Sequence, residues 1–180
     1  MDKTELARRV HETCYLNGHF VLRSGQVTDF YFDKYQFEAD PLLLRMVAEQ
    51  VAALVPPETE ILAGLELGGV PISTALSLLT GLPQVLVRKQ AKTYGTARLA
   101  EGPDVAGRRT LVVEDVITTG GQVVRSAEDL RARGALVDTV LCVIDRRPRP
   151  EEADQLTDAR LSVLTLFGLG DLLDDKPRAG

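Results

Sequence analysis

Short apolar runs alternate with helical patterns through the later two-thirds of the chain. The apolar runs lack a helical period and end in turn residues, which predicts buried strands at 61–65, 84–87, 110–115, 136–145 and 161–166. Segments with an apolar stripe at helical spacing lie among them, at 71–79 and 122–133. This alternation favours an α/β fold with a central, mostly parallel sheet flanked by helices, and ligands of such sheets bind at the carboxyl ends of the strands.

The first part of the chain has a different pattern. It predicts an amphipathic helix closed by Gly18, then a hairpin, then a second helix, at 4–17, 20–35 and 40–55. Asp40 is a favourable N-cap and Pro41 suits the first turn, so the start of the second helix is well marked.

Composition narrows the class of protein. The 180 residues suit one domain with a sizeable core, so we expect 1–180 to fold as a single unit. The net charge of −5 gives no support for a nucleic-acid partner, and no apolar run reaches membrane length. Two cysteines without metal-ligand spacing, and no signal peptide, indicate a cytoplasmic protein.

Residues 111–122, LVVEDVITTGGQ, are the most informative segment. Glu114 and Asp115 lie at the end of a predicted strand, where their carboxylates can accept hydrogen bonds from the vicinal hydroxyls of a ribose. A turn of threonines and glycines follows and opens a helix, whose N-terminus favours a phosphate. Many α/β proteins have a strand, a glycine turn and a helix without this role, but the full string is more specific. It is neither a Walker A loop nor a dinucleotide fingerprint.

Three further segments fall at predicted strand ends. Three cations lie within 88–92, at the start of a polar, glycine-containing stretch at 89–108 that we interpret as a flexible loop over the site. Gly68 and Gly69 precede a helix and offer backbone N–H groups to an anion, although a plain turn explains them equally well. Arg146 can bind a carboxylate with its fork of donors, whereas such an arginine usually lies free on the surface.

Together these segments resemble the orotate phosphoribosyltransferases from about residue 20 to residue 146. The signature at 111–122 resembles the phosphoribosyl diphosphate motif of all type I phosphoribosyltransferases. The basic segment, Arg146 and the aromatic N-terminal segment resemble the orotate branch, through the strings RKQAK at 88–92, LRSG at 22–25 and FYFDK at 30–34. The resemblance implies the type I phosphoribosyltransferase fold, with a small hood formed by N-terminal (1–40) and C-terminal segments, and a catalytic loop at 89–108.

The resemblance also implies a reaction and its residues. Orotate and phosphoribosyl diphosphate would give orotidine 5′-monophosphate and diphosphate, with Mg²⁺ as cofactor, in pyrimidine biosynthesis. The implied catalytic residues are Lys92, Arg88 and Lys89. The implied binding residues for phosphoribosyl diphosphate are Arg88, Lys89, Lys92, Glu114, Asp115, Val116, Ile117, Thr118, Thr119, Gly120, Gly121 and Gln122. Orotate would contact Thr118, Arg146 and Arg23. The metal would be held through the substrate, near Asp115. A homodimer is implied, with the basic loop acting across the interface.

The chain departs from some members of this family at three positions. Tyr94 stands where some have a histidine, Gly68 where some have a lysine, and Arg23 where some have a lysine. The sequence leaves open whether Lys34 touches orotate or supports the hood. Three alternatives are a purine phosphoribosyltransferase, a regulator that binds phosphoribosyl diphosphate as a signal, and a generic nucleotide-binding module. The last two fit poorly with the acidic charge and the full signature.

Overall fold

A six-stranded sheet organises the computed structural model, which describes residues 1–21, 25–89, 99–147 and 155–173. Its strands and helices are, in chain order, α1 (Lys3–Cys14), β1 (Tyr15–Val21), β2 (Val27–Phe32), α2 (Tyr35–Ala39), α3 (Pro41–Ala52), β3 (Ile61–Leu65), α4 (Gly69–Thr80), β4 (Gln84–Val87), β5 (Ala100–Glu101), β6 (Thr110–Ile117), α5 (Gly121–Ala132), β7 (Thr139–Asp145), α6 (Gln155–Asp158), β8 (Ser162–Gly168) and α7 (Leu169–Leu173). None of these helices is long and apolar enough to cross a membrane.

The sheet has the strand order β5-β4-β3-β6-β7-β8, with all pairs parallel except β4 with β5. This confirms the predicted mostly parallel sheet, and it places β6, the strand of the signature segment, near the centre. The first two strands form a separate antiparallel hairpin, in which Tyr15 pairs with Phe32 and Val21 with Val27.

Alternate residues of the central strands feed two apolar layers, one on each face of the sheet. On β6, Val113 packs with the layer that includes α1 to α4, and Val112 packs with the layer that includes α5. Cys142 of β7 is buried in the second layer. Because these strands are buried on both faces, their sequences are continuous apolar runs.

The N-terminal segment differs from its prediction in two places. Helix α1 ends at Cys14 rather than near Gly18, which lies inside β1. The strand begins early because Tyr15 pairs across the hairpin and stacks on Phe30, with ring centroids 5.3 Å apart. The second strand stops at Phe32, and α2 follows it; the Asp33 carboxylate accepts hydrogen bonds from the Tyr35 backbone N–H and the Gln36 amide at the start of that helix.

Of the loop predicted at 89–108, the structure describes Lys89 and residues 99–108. Residues 90–98 lie outside the described residues. Beyond them, β5 pairs with β4, and the side chains of Leu99 and Val105 are buried. Apart from β5, residues 99–108 form no helix or strand, and the pairing of β5 and two apolar anchors hold this segment against the domain.

The C-terminal end of α5 is fixed by one side chain. The Arg131 guanidinium donates to the Val137 carbonyl oxygen at 2.7 and 2.9 Å and to the Ala159 carbonyl oxygen at 2.8 Å. These contacts tie the helix to the connections that lead into β7 and β8. Asp40 also acts as predicted, since its carboxylate caps α3 by accepting from the backbone N–H groups of Leu42 and Leu43.

Candidate functional site

The carboxyl ends of four parallel strands meet along one edge of the sheet. Here β3 leads into the turn at 66–69, β4 into Arg88 and Lys89, β6 into the signature turn, and β7 into Arg146. The structure therefore brings together the strand-end segments that were predicted separately. Arg23, Lys92 and Tyr94 lie outside the described residues.

The signature turn is shaped by Gly120. This residue has φ 80° and ψ −11°, a left-handed conformation that favours glycine, and a Cβ there would lie 2.8 Å from Leu156 Cγ. Thr118 and Thr119 are exposed, whereas Val116 and Ile117 are still part of the strand. The first turn of α5 begins at Gly121 and Gln122, and its backbone N–H groups have no partner within the helix. Backbone donors at a helix N-terminus suit a phosphate.

The acid pair lies directly before this turn and is buried. Asp115 Oδ1 accepts from the Val116 backbone N–H at 2.6 Å, and Glu114 Oε1 accepts from the Asp115 backbone N–H at 3.0 Å. The Asp115 side chain is 0% exposed. Two carboxylates next to a turn whose backbone donors suit a phosphate can hold the hydroxyls of a sugar phosphate.

Two residues from the N-terminal segment complete the surroundings of Asp115. Lys34 Nζ forms an ion pair with Asp115 Oδ2, and Glu38 of α2 is buried beside the same carboxylate. Sequence reasoning did not identify Glu38. Glu38 lies in a short helix with little apolar periodicity, so the local sequence does not indicate that it is buried. Only the folded chain brings it next to Asp115 of β6.

These groups set the ionisation of the cluster. Burial opposes the charged form of Asp115, but hydrogen bonding with Glu114, Glu38 and Lys34 outweighs burial and holds its pKa below the usual range. Burial, together with the neighbouring Asp115, raises the pKa of Glu38 to about 9 and that of Glu114 well above its usual range. Burial lowers the pKa of Lys34, but pairing with Asp115 more than offsets this, and the net shift is upward. These shifts favour the charged forms of Asp115 and Lys34 and the neutral forms of Glu38 and Glu114.

The turn at 66–69 packs tightly against these acids. A Cβ at Gly68 would overlap Asp115 Oδ2 and lie 2.8 Å from Glu38 Oε1. A Cβ at Gly69 would overlap the Val113 carbonyl oxygen of β6. Both glycines are therefore required for close approach of this turn to β6 and its acids. The sequence indicated either an anion-binding turn or a plain turn and did not predict this packing role.

Basic residues at the ends of β4 and β7 differ in what they contact. Arg88 Nε lies 3.8 Å from Glu101 Oε1, and the Lys89 backbone N–H donates to Glu66 Oε1 at 2.6 Å. After β7, the side chain of Arg146 is exposed, and its backbone N–H donates to the Ile117 carbonyl oxygen at 2.8 Å, which holds it beside the signature turn. Its neighbour Arg147 instead forms a buried ion pair with Asp145 at 2.6 Å.

The carboxylates of Glu114 and Asp115 could supply only part of the ligand shell of a magnesium ion. No cluster of three or more histidine, cysteine, aspartate or glutamate residues within the described part of the chain is arranged to hold a metal ion. Mg²⁺ commonly takes one or two carboxylates and completes its shell with water and substrate phosphates. Asp115 and Glu114 fit that smaller contribution.

Solved structures define the class of protein. The orotate phosphoribosyltransferase of Mycobacterium tuberculosis H37Rv in complex with 5-phospho-α-D-ribosyl 1-diphosphate matches with a TM-score of 0.79 and 28% identity, over 96% of this chain and 99% of that one. An adenine phosphoribosyltransferase from Thermoanaerobacter pseudethanolicus shares the fold, with a TM-score of 0.64 and 18% identity over 90% of this chain and 99% of that one. The mostly parallel sheet flanked by helices is that of the type I phosphoribosyltransferase fold.

Sequence relatives narrow the class further. A scan against models of known protein families gives no match. The chain is 57% identical over 167 residues to the orotate phosphoribosyltransferase of a Nocardioides species, which covers 93% of this chain and 92% of the relative. It is 38% identical over 175 residues to that of Methanocella arvoryzae, over 97% and 99% of the two chains. The chain belongs to the orotate phosphoribosyltransferase family.

Proposed function

We propose that this protein transfers ribose 5-phosphate from 5-phosphoribosyl 1-diphosphate to orotate, giving orotidine 5′-monophosphate and diphosphate in pyrimidine nucleotide biosynthesis. The observation that carries the proposal is the continuous segment of β6 and α5, in which a buried acid pair runs directly into a phosphate-binding turn. Family membership supports orotate as the acceptor.

The segment from 114 to 122 accounts for binding of the sugar. The turn at Thr118, Thr119, Gly120 and Gly121, with the N–H of Gln122, receives the 5′-phosphate. Glu114 and Asp115 accept hydrogen bonds from the two ribose hydroxyls. Val116 and Ile117 join the two parts and fix their spacing because they belong to a central strand. The sugar is therefore held at both ends while its anomeric carbon stays open to the acceptor.

Charge at the opposite end of the sugar assists departure of diphosphate. Arg88 and Lys89 follow β4 at the same edge of the sheet, and we assign them, with Lys92, to stabilising the charge that develops on the leaving diphosphate. Mg²⁺, held mainly by substrate oxygens next to Asp115 and Glu114, would neutralise part of that charge. The bond from the anomeric carbon to diphosphate breaks as the orotate nitrogen attacks that carbon.

We assign binding of orotate to residues near the end of β7 and beside the signature turn. The exposed side chain of Arg146 stands beside the signature turn, and its guanidinium suits the carboxylate of orotate. We assign Thr118 and Arg23 to the same acceptor. The protein acts as a homodimer in this proposal, with the basic loop reaching the partner subunit. It works in the cytoplasm, which agrees with two free thiols at Cys14 and Cys142.

An absorbance assay of orotate consumption tests the function. Orotate with phosphoribosyl diphosphate and Mg²⁺ is expected to turn over, the same mixture with a chelator to stop, and adenine, hypoxanthine or uracil in place of orotate to give little product. Turnover of a purine instead of orotate would reject the proposal in favour of a purine phosphoribosyltransferase.

The assignment of Lys92 predicts a kinetic signature. Because its charge would act mainly on the leaving diphosphate, Lys92→Ala should lower kcat more than it raises KM for either substrate. Near-normal kcat in this variant would remove Lys92 from the catalytic group while leaving the overall reaction intact.

A further inference from the structure

Lys34 is the residue at this site whose role the family resemblance leaves undecided. It follows β2 and precedes α2, and its side chain is 31% exposed. Its ammonium reaches the fully buried carboxylate of Asp115, which is one of the two acids assigned to the ribose diol. In the free protein, Lys34 thus covers a group that the substrate needs.

The same oxygen of Asp115 is the point of contact with the turn at 66–69. A Cβ at Gly68 would overlap Asp115 Oδ2, the atom that Lys34 Nζ contacts, so the ammonium lies directly beside this turn. The turn consists of Glu66, Leu67, Gly68 and Gly69 and has no cationic side chain of its own. Its backbone N–H groups alone would face a diphosphate that carries several negative charges.

Two other cations at this edge of the sheet already have carboxylate partners. Arg88 lies 3.8 Å from Glu101, and Arg147 lies 2.6 Å from Asp145. Lys34 is surrounded by the carboxyl groups of Asp115, Glu114 and Glu38, and its ammonium lies 5.3 Å from the Tyr35 ring centroid. Its ammonium lies beside both the acid pair and the turn, and its partly exposed side chain has room to move.

We propose that Lys34 is a binding residue for the diphosphate group of phosphoribosyl diphosphate, and that it exchanges partners when the substrate binds. Its ammonium leaves Asp115 as the ribose diol arrives there, and then pairs with a diphosphate oxygen beside Gly68. The exchange replaces one anionic partner with another, so the lysine never stands unpaired in a buried site. This inference rests on the proposed function, because it takes phosphoribosyl diphosphate as the ligand.

The product orotidine 5′-monophosphate separates the roles open to Lys34, because it has the ribose, the 5′-phosphate and the base but lacks the diphosphate. Calorimetric titration of Lys34→Ala and Lys34→Gln is expected to show phosphoribosyl diphosphate and inorganic diphosphate bound about tenfold to a hundredfold more weakly, which is typical for loss of one charged hydrogen bond. Both variants should bind orotidine 5′-monophosphate as tightly as the parent protein or more tightly, since Asp115 no longer has to release a lysine.

Several outcomes would overturn the inference. Weaker binding of orotidine 5′-monophosphate alone would place Lys34 on orotate, and equal weakening of all ligands would make it a structural support. Lys34→Gln keeps a neutral donor for Asp115, so it tests the role even if the alanine variant unfolds. Lys34→Arg should retain most of the affinity, and Lys3→Gln, at an ion pair with Asp171, is the control with unchanged binding. Failure of the parent protein to bind phosphoribosyl diphosphate would instead refute the proposed function.

Discussion

Gly68→Ala tests the close packing that joins the turn at 66–69 to the acid pair. Gly68 has φ −71° and ψ −29°, values that alanine adopts without strain, so any effect must come from the added methyl group. That methyl would overlap Asp115 Oδ2 and lie 2.8 Å from Glu38 Oε1. Asp115 would have to turn away, and this would disturb its ion pair with Lys34.

The expected magnitudes follow from these contacts. Overpacking of a tight site costs about 1–3 kcal/mol, so the free energy of unfolding should fall by about that amount. For a domain of this size, each 1 kcal/mol corresponds to about 2–4 °C in Tm. A hydrogen bond to a charged group is worth about 1.5–3 kcal/mol, so misplacing Asp115 should raise the Kd for phosphoribosyl diphosphate about tenfold or more.

Urea denaturation and calorimetric titration on the same preparation measure both effects. Gly170→Ala is the matched control, because nothing lies within 4 Å of its added Cβ, and it should unfold at or slightly above the parental midpoint with unchanged affinity. Gly69→Ala should destabilise more than Gly68→Ala, because it meets the backbone of β6 rather than a side chain that can turn. A Gly68→Ala protein with parental stability and parental affinity would refute the contact as described.

Three further predictions concern stability and reactivity. Asp40→Ala should lower the free energy of unfolding by about 1 kcal/mol in urea, through loss of the α3 cap. Burial raises the pKa of Cys14 and Cys142 to about 12, so a disulfide reagent at pH 8 should react only after unfolding; prompt reaction of the native protein would contradict their burial. The hydrogen bond from the Gly168 N–H holds the pKa of Asp171 in the folded protein below its usual range. Ionised Asp171 therefore stabilises the fold fully above about pH 3.9, its pKa in the unfolded chain, and this contribution is lost as the pH falls through the lower pKa of the folded protein. Asp171→Asn should therefore lose less stability than the parent between pH 5 and pH 3 in urea titrations, with equal losses counting against the hydrogen bond.

The sequence was most informative where one physical requirement dominates a segment. Strands such as Ile61–Leu65 are buried on both faces, so all of their residues are apolar or small, and this continuous run predicts the strand. The signature segment was readable for a related reason: a phosphate turn needs glycine at a left-handed position, which Gly120 supplies, and carboxylates at a fixed spacing before it.

Features that depend on distant neighbours were not predictable. Helix α2 has five residues and buries only Phe37 and Glu38, so it shows no apolar period. Strand β5 has two residues and exists because it pairs with β4, which the local sequence does not record. Glycine is a common signal for a helix end, but at Gly18 it misleads, since pairing of Tyr15 across the hairpin ends α1 earlier. The contacts of Lys34 and Glu38 with Asp115 likewise exist only in the folded chain.

The anchoring of α5 by Arg131 has a consequence for ligand affinity. The helix has 12 residues and is about 18 Å long, with Arg131 near one end and the signature turn at the other. Because those contacts hold the helix against two strand connections, the amides of the turn are preorganised before any ligand arrives. The entropy lost in orienting them is part of folding, and it does not subtract from the free energy of binding the sugar phosphate. Loosening a helix at one end should thus weaken an anion site at the other without touching a single ligand contact.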